Sequence, residues 1–160
     1  MSLSVESYKV FVLDDNVSQL KTISAILKVE GFEVFGFDDV TTGFEFLSGK
    51  RVDVCIFDMR MPGITEEELI KKLIPVAEST PIIINTGFGS YDSAKNALNV
   101  GVFAYVEKGG DPVILVQTVH RAIRKYYKEK QKKLEEAVEL RTRELEKEIA
   151  ERNRAEEALR

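Results

Sequence analysis

The chain predicts an α/β fold: parallel strands forming one sheet, covered by helices on both faces. Three observations predict it. Short apolar runs alternate with longer amphipathic stretches five times in succession. Acidic residues follow directly on two of those runs, Asp14-Asp15 after Val10-Phe11-Val12-Leu13 and Asp58 after Val54-Cys55-Ile56-Phe57. Glycines stand where the amphipathic stretches should stop, at Gly31, Gly49 and Gly101. Repeated βα units imply right-handed crossovers and a doubly wound sheet.

Each element has its own signal. Tyr8 to Leu13 reads as the first strand, and Ser18 to Val29 as a helix with Leu20, Ile23, Ile26 and Leu27 on one face. Phe32 to Phe37 follows as a strand, then a short helix from Thr41 to Leu47 stopped by Ser48-Gly49. Val52 to Phe57 is the third strand. The third helix runs from Glu66 to Ile74, with Pro75 at its expected end because proline has no N–H for a helix interior. Pro81 opens a fourth strand, Ile82 to Asn85, apolar enough for burial on both faces. The loop Thr86 to Ser90 leads to a helix from Tyr91 to Asn99, and Val102 to Val106 is the fifth strand.

The last segment departs from this rhythm. After Asp111-Pro112, a cap and a first-turn proline, neither Gly nor Pro occurs through Arg160. Ile114, Leu115, Thr118, Val119, Ala122 and Ile123 suit packing on the sheet. Beyond Tyr126 the composition turns to Glu, Lys, Arg, Leu and Ala, the mix of a long exposed or coiled-coil helix. The expected division is therefore residues 1–126 as a globular domain and 127–160 as a helical extension, truncated from a larger protein. Leu134, Val138 and Leu145 fit one heptad seam interrupted by Arg141. Ile149, Arg152, Glu156 and Leu159 follow a frame shifted by a four-residue step, a stutter. A parallel homodimer is expected, against the alternative of a solvated helix laced with Glu-to-Lys and Glu-to-Arg pairs.

Composition narrows the classes. A hydrophobic share of 44% is ordinary for a globular protein. The net charge of -4 argues against general nucleic-acid binding, so no direct nucleic-acid contact is expected. The N-terminal residues lack the basic and apolar regions of a signal peptide, and no apolar run reaches bilayer length, so a soluble chain with no membrane contact is expected. Cys55, the only cysteine, lies in an apolar strand; it permits no intramolecular disulfide and reads as core. His120, the only histidine, reads as an ordinary helix residue.

In a parallel sheet, Asp14, Asp15 and Asp58 would crowd one crevice at the strands' carboxyl ends. Like charges at that range repel, so the cluster needs a cation or a shared proton. Oxygen-only ligands favour a hard ion, Mg²⁺ or Ca²⁺, and point to phosphate chemistry.

Asp14-Asp15, the run Asp58-Met59-Arg60-Met61-Pro62-Gly63, Thr86 after the fourth strand and Lys108 after the fifth together resemble a response-regulator receiver domain, over about residues 7 to 126. The resemblance implies a five-stranded sheet in the order 2-1-3-4-5. It implies that Asp58 is the phosphoacceptor, that Asp14, Asp15, Asp58 and the backbone carbonyl of Arg60 hold Mg²⁺, and that Lys108 and Thr86 contact the phosphoryl group. Tyr105 and Thr86 are the implied switch. A histidine kinase or phosphotransfer protein is the implied donor, and the cytoplasm the implied location. Two departures stand out: Gly109 replaces a proline common after the lysine, which predicts looser placement of Lys108, and Arg60 and Phe88 flank the expected site. The segment from Glu139 to Arg160 resembles linkers preceding PAS or histidine-kinase modules. No separate cofactor-binding motif occurs.

Two other functions fit parts of the pattern. A receiver fold retained as a phosphorylation-independent dimerisation scaffold would need no acceptor chemistry. A phosphatase of the haloacid dehalogenase type also uses an aspartyl nucleophile, but its second Asp falls two residues on, where this chain has Arg60.

Overall fold

The structure is a computed structural model that describes residues 6–87 and 91–160. Residues 1–5 and Phe88, Gly89 and Ser90 lie outside the described residues, and with them the expectations placed on the N-terminus and on Phe88. The elements run β1 (Lys9–Leu13), α1 (Val17–Val29), β2 (Glu33–Phe37), α2 (Val40–Gly49), β3 (Val54–Phe57), α3 (Glu66–Ala77), β4 (Ile82–Thr86), α4 (Tyr91–Asn99), β5 (Ala104–Glu107) and α5 (Pro112–Ala158). The strands form one parallel sheet in the order β2-β1-β3-β4-β5, as expected.

Strand parity builds two cores. Val10, Val12, Val54, Ile56 and Ile83 point to one face, against Ile23 and Leu27 of α1 and Leu115, Val119 and Ile123 of α5. Phe11, Leu13, Cys55, Phe57, Ile82 and Ile84 point to the other, against Leu69 and Leu73 of α3, with Phe44, Phe46 and Leu47 of α2 packed beside them. The second core is strongly aromatic: Phe11 lies 5.4 Å from Phe37 and 5.3 Å from Phe57 between ring centroids. Gly43 lets α2 approach this layer, since a Cβ there would stand 3.2 Å from both Leu13 Cδ1 and Phe11 Cζ.

Helix starts are set by local caps. Asn16 accepts from the Gln19 N–H at the start of α1, and Asp39 from the Thr42 N–H at the start of α2. Thr65 and Glu68 form a reciprocal capping box on α3, whose hydrogen bonds from the Thr65 backbone and side chain hold the Glu68 carboxyl below its usual pKa. Helix α3 runs past Pro75 to Ala77. In the last turn the proline forfeits one hydrogen bond and leaves little helix beyond it to disrupt. Ile114, expected against the sheet, is exposed: the buried stripe of α5 runs through Leu115, Val116, Thr118, Val119, Ala122 and Ile123, and Ile114 falls just past its edge, beside Thr118.

The chain divides into two compact units, Met1–Arg124 and Lys125–Arg160. In the second, every residue from 127 to 160 is exposed. Ion pairs along the helix include Glu139 with Arg143 and Arg152 with Glu156. Among the described residues no helix is long and apolar enough to cross a membrane.

Leu73 is wholly buried in the second core whereas Leu98 on α4 is 52% exposed. Leu73→Ala should cost about 2–5 kcal/mol in urea unfolding, and Leu98→Ala less than about 1 kcal/mol. Equal losses at the two positions would contradict this assignment of the core.

Candidate functional site

The strand order reverses between β1 and β3, which opens a crevice at the carboxyl end of the sheet. Leu13 and Phe57 are register partners, so the residues that follow them, Asp14 and Asp58, emerge side by side. Their backbones remain tied to the sheet. The Asp14 N–H donates to the Phe37 carbonyl at 3.0 Å, and the Asp58 N–H to the Leu13 carbonyl at 2.9 Å. Asp14 and Asp58 are buried and Asp15 is exposed. One carboxylate oxygen from each of the three lies within 4.8 Å of the others.

Lys108 enters from the far edge. Its own N–H donates to the Thr86 carbonyl at 2.7 Å, which fixes where the chain leaves β5. Its Nζ then stands 2.7 Å from Asp58 Oδ2 and 2.8 Å from Asp14 Oδ2. Burial works against the ammonium charge, but the two carboxylates outweigh it and hold the Lys108 pKa above the ordinary lysine value. Gly109 follows at φ +79, a left-handed conformation closed to a proline ring. The glycine turns the chain here, and the lysine side chain stands between two carboxylates.

The remaining oxygens are oriented by backbone. Asp14 Oδ1 accepts from the Asn16 N–H at 2.9 Å, and Asp58 Oδ1 from the Arg60 N–H at 3.1 Å. Both carboxylates thus turn Oδ2 toward Lys108. The Asp58 contact is a well-formed hydrogen bond. The Asp14 contact, at 2.8 Å, sets its buried Oδ2 against the same ammonium. Three carboxylates against one ammonium leave a formal charge of -3 + 1 = -2 in the cluster. An oxygen-only donor set and excess negative charge fit a hard divalent cation, which Asp14, Asp15 and Asp58 would hold.

The other expected residues surround this centre. Arg60 reaches Asp58 through its amide, while its side chain is exposed, with Nε 3.8 Å from Glu66 Oε1. Thr86 is buried at the end of β4. Tyr105, on β5, packs against the aromatic core and interacts with Thr86. Burial, and then the charge of Glu66, push its hydroxyl pKa up. Cys55 is wholly buried and its thiol pKa is pushed far up by desolvation, as a core residue's should be. His120 lies against Phe32, ring centroids 5.0 Å apart. The sequence reading missed Asn16, which both caps α1 and orients Asp14. The signal was present: an Asn directly after the acidic pair and before an apolar-periodic stretch.

The raised Lys108 pKa carries a pH signature. A group whose folded pKa exceeds its unfolded value stabilises the fold fully below the unfolded pKa, about 10.4 for lysine, and loses that contribution as pH rises through the folded pKa. Urea midpoints measured from neutral pH to above that value, without added metal, should fall more steeply for the native chain than for Lys108→Met. Parallel curves would show that the clasp contributes nothing to stability.

The response regulator receiver domain model matches residues 10–120. The transcriptional regulatory protein FixJ of Bradyrhizobium diazoefficiens is 30% identical over 115 residues, covering 72% of this chain and 56% of FixJ. The DNA-binding transcriptional regulator NtrC of Escherichia coli is 32% identical over 122 residues, covering 76% of this chain and 26% of NtrC. A crystal structure of a response regulator receiver domain protein from Clostridium thermocellum superposes with a TM-score of 0.68 at 28% identity, over 74% of this chain and 95% of that one. This chain thus spans about half the length of FixJ and about a quarter of NtrC. The matched residues include all five strands and the acidic crevice, and the chain belongs to the response regulator receiver domain family of two-component signalling.

Proposed function

We propose that this chain is a phosphoacceptor receiver in which Mg²⁺-dependent phosphorylation of Asp58 controls the C-terminal helix. The observation that carries the reading is the Lys108 ammonium placed 2.7 Å from Asp58 and 2.8 Å from Asp14, beside the exposed carboxylate of Asp15. That arrangement supplies an acceptor carboxylate, a fixed cation for the incoming charge, and oxygens for a metal.

Bound Mg²⁺, held by Asp14, Asp15, Asp58 and the Arg60 carbonyl, would offset the repulsion between an anionic nucleophile and an anionic phosphoryl group. The chain's own residues do the rest. The Asp58 carboxylate attacks phosphorus of a phosphohistidine on a histidine kinase or phosphotransfer protein; an O–P bond forms, the P–N bond breaks and the imidazole leaves. Lys108 follows the charge onto the transferred oxygens as a point cation. Thr86 donates its hydroxyl to a phosphoryl oxygen, which alters its interaction with Tyr105 and makes the pair the switch. Phosphoryl transfer needs mainly positioning and neutralisation, and these residues are placed for both.

The family match ends at residue 120, so the output rests on the helix beyond it. We assign that output to self-association of the extension 127–160 in the cytoplasm, coupled to a further module of a larger signalling protein. FixJ and NtrC are named as transcriptional regulators, so a DNA-directed output stands beside the PAS or kinase modules that the linker-like sequence suggests.

Incubation with acetyl phosphate and Mg²⁺ should add one phosphoryl group by intact mass, and chelation of the metal or Asp58→Asn should abolish the gain. A chain that stays unlabelled under conditions that phosphorylate other receivers would overturn the reading in favour of the scaffold alternative.

A further inference from the structure

We infer that residues 125–160 pair with a second copy of this chain in parallel register, Lys130 of each copy meeting the partner's Glu135. This rests on the self-association proposed above and adds the charge pair that fixes its register.

Leu134, Val138, Leu145 and Ile149 are 64%, 57%, 41% and 57% exposed, within a helical segment whose every residue from 127 on is exposed. A solvated single helix has no reason to align such residues along one stripe. Placing Leu134 at heptad position d and Val138 at a puts Tyr127 at d, Gln131 at a, Lys130 at g and Glu135 at e. In a parallel pair, position g faces position e of the next heptad on the partner, which sets Lys130 against Glu135 twice by symmetry. An antiparallel pair would instead oppose g with g and e with e.

The direction of Glu135 within one chain suits this pairing. Gln131 Nε2 donates to Glu135 Oε1 at 3.0 Å, so the Glu135 carboxylate leans toward the seam residue one turn before it. Lys130 Nζ lies 5.9 Å from the ring centroids of both Tyr126 and Tyr127, so in the single chain it rests on the rings and would swing toward the C-terminus to meet the partner's glutamate. The lysine-rich character of 125–133 is no obstacle. Lys125 and Lys132 fall at b and Lys133 at c, directed away from a partner, and Lys128 at e meets no opposing charge within the segment.

The test uses the 160-residue chain both untreated and with beryllofluoride and Mg²⁺, so that pairing that depends on the state of Asp58 is not mistaken for an absence of pairing. Sedimentation equilibrium should show self-association weakened about tenfold by Lys130→Glu or by Glu135→Lys, and restored when both are combined. An equimolar mixture of the two single variants should form the mixed dimer in preference to either self-pair. A Leu134→Cys chain should cross-link to its own copy on oxidation, whereas Cys55, being wholly buried, should not. Far-UV circular dichroism establishes that each variant is folded. A chain that is monomeric in both conditions, singles that associate as the native chain does, no preference in the mixture, or failure of the Leu134→Cys chain to cross-link would each overturn the inference.

Discussion

One ammonium shared by two buried carboxylates holds this site together. Asp14 and Asp58 stand at the ends of neighbouring strands because the register allows nothing else, and alone they would repel each other where water is scarce. Lys108 makes their proximity tolerable, and it reaches them only from the end of a strand that lies two positions beyond β3. Three strand ends are thereby bound to one another by charge as well as by the sheet. The lysine faces both carboxylates, yet with Asp15 beside them the cluster keeps an excess of negative charge.

The same residues show how a rigid frame presents reactive oxygens. Backbone amides hold one oxygen of each carboxylate, leaving the other to face the crevice. Little side-chain freedom then remains to be lost when charge enters the site. Strand parity extends this order outward: Phe57 faces the aromatic layer while Asp58, the next residue, closes over the crevice, and Tyr105 belongs to that same layer. Events at the carboxylates thus have packed neighbours on one side of the sheet through which to act.

Most of the fold was legible because its signals are local and repeated. The apolar runs, the glycine stops and the acidic pair each mark an element, and their order prescribes the sheet. Boundaries were less legible where side chains rather than backbone preference decide them. Asn16 and Asp39 start their helices earlier than the apolar period suggests, by accepting a single N–H each. Pro75 looked like a stop, yet a proline in a final turn removes only one bond. Ile114 misled because the stripe of a long helix depends on its rotation against the sheet, which tertiary packing sets. In the site, residue identities were readable and geometry was not. Nothing in the sequence states that Gly109 takes a positive φ or that Lys108 stands between two carboxylates.

The burial of Cys55 has a practical chemical meaning. A thiol so strongly desolvated offers almost no thiolate near neutral pH, and thiolate is the form that reacts with electrophiles and oxidants. The folded chain therefore has no redox handle of its own, although it contains sulfur at the centre of its sheet. Any cysteine introduced at its surface would be the sole reactive thiol, so spectroscopic labels can be attached site by site with the native core left intact.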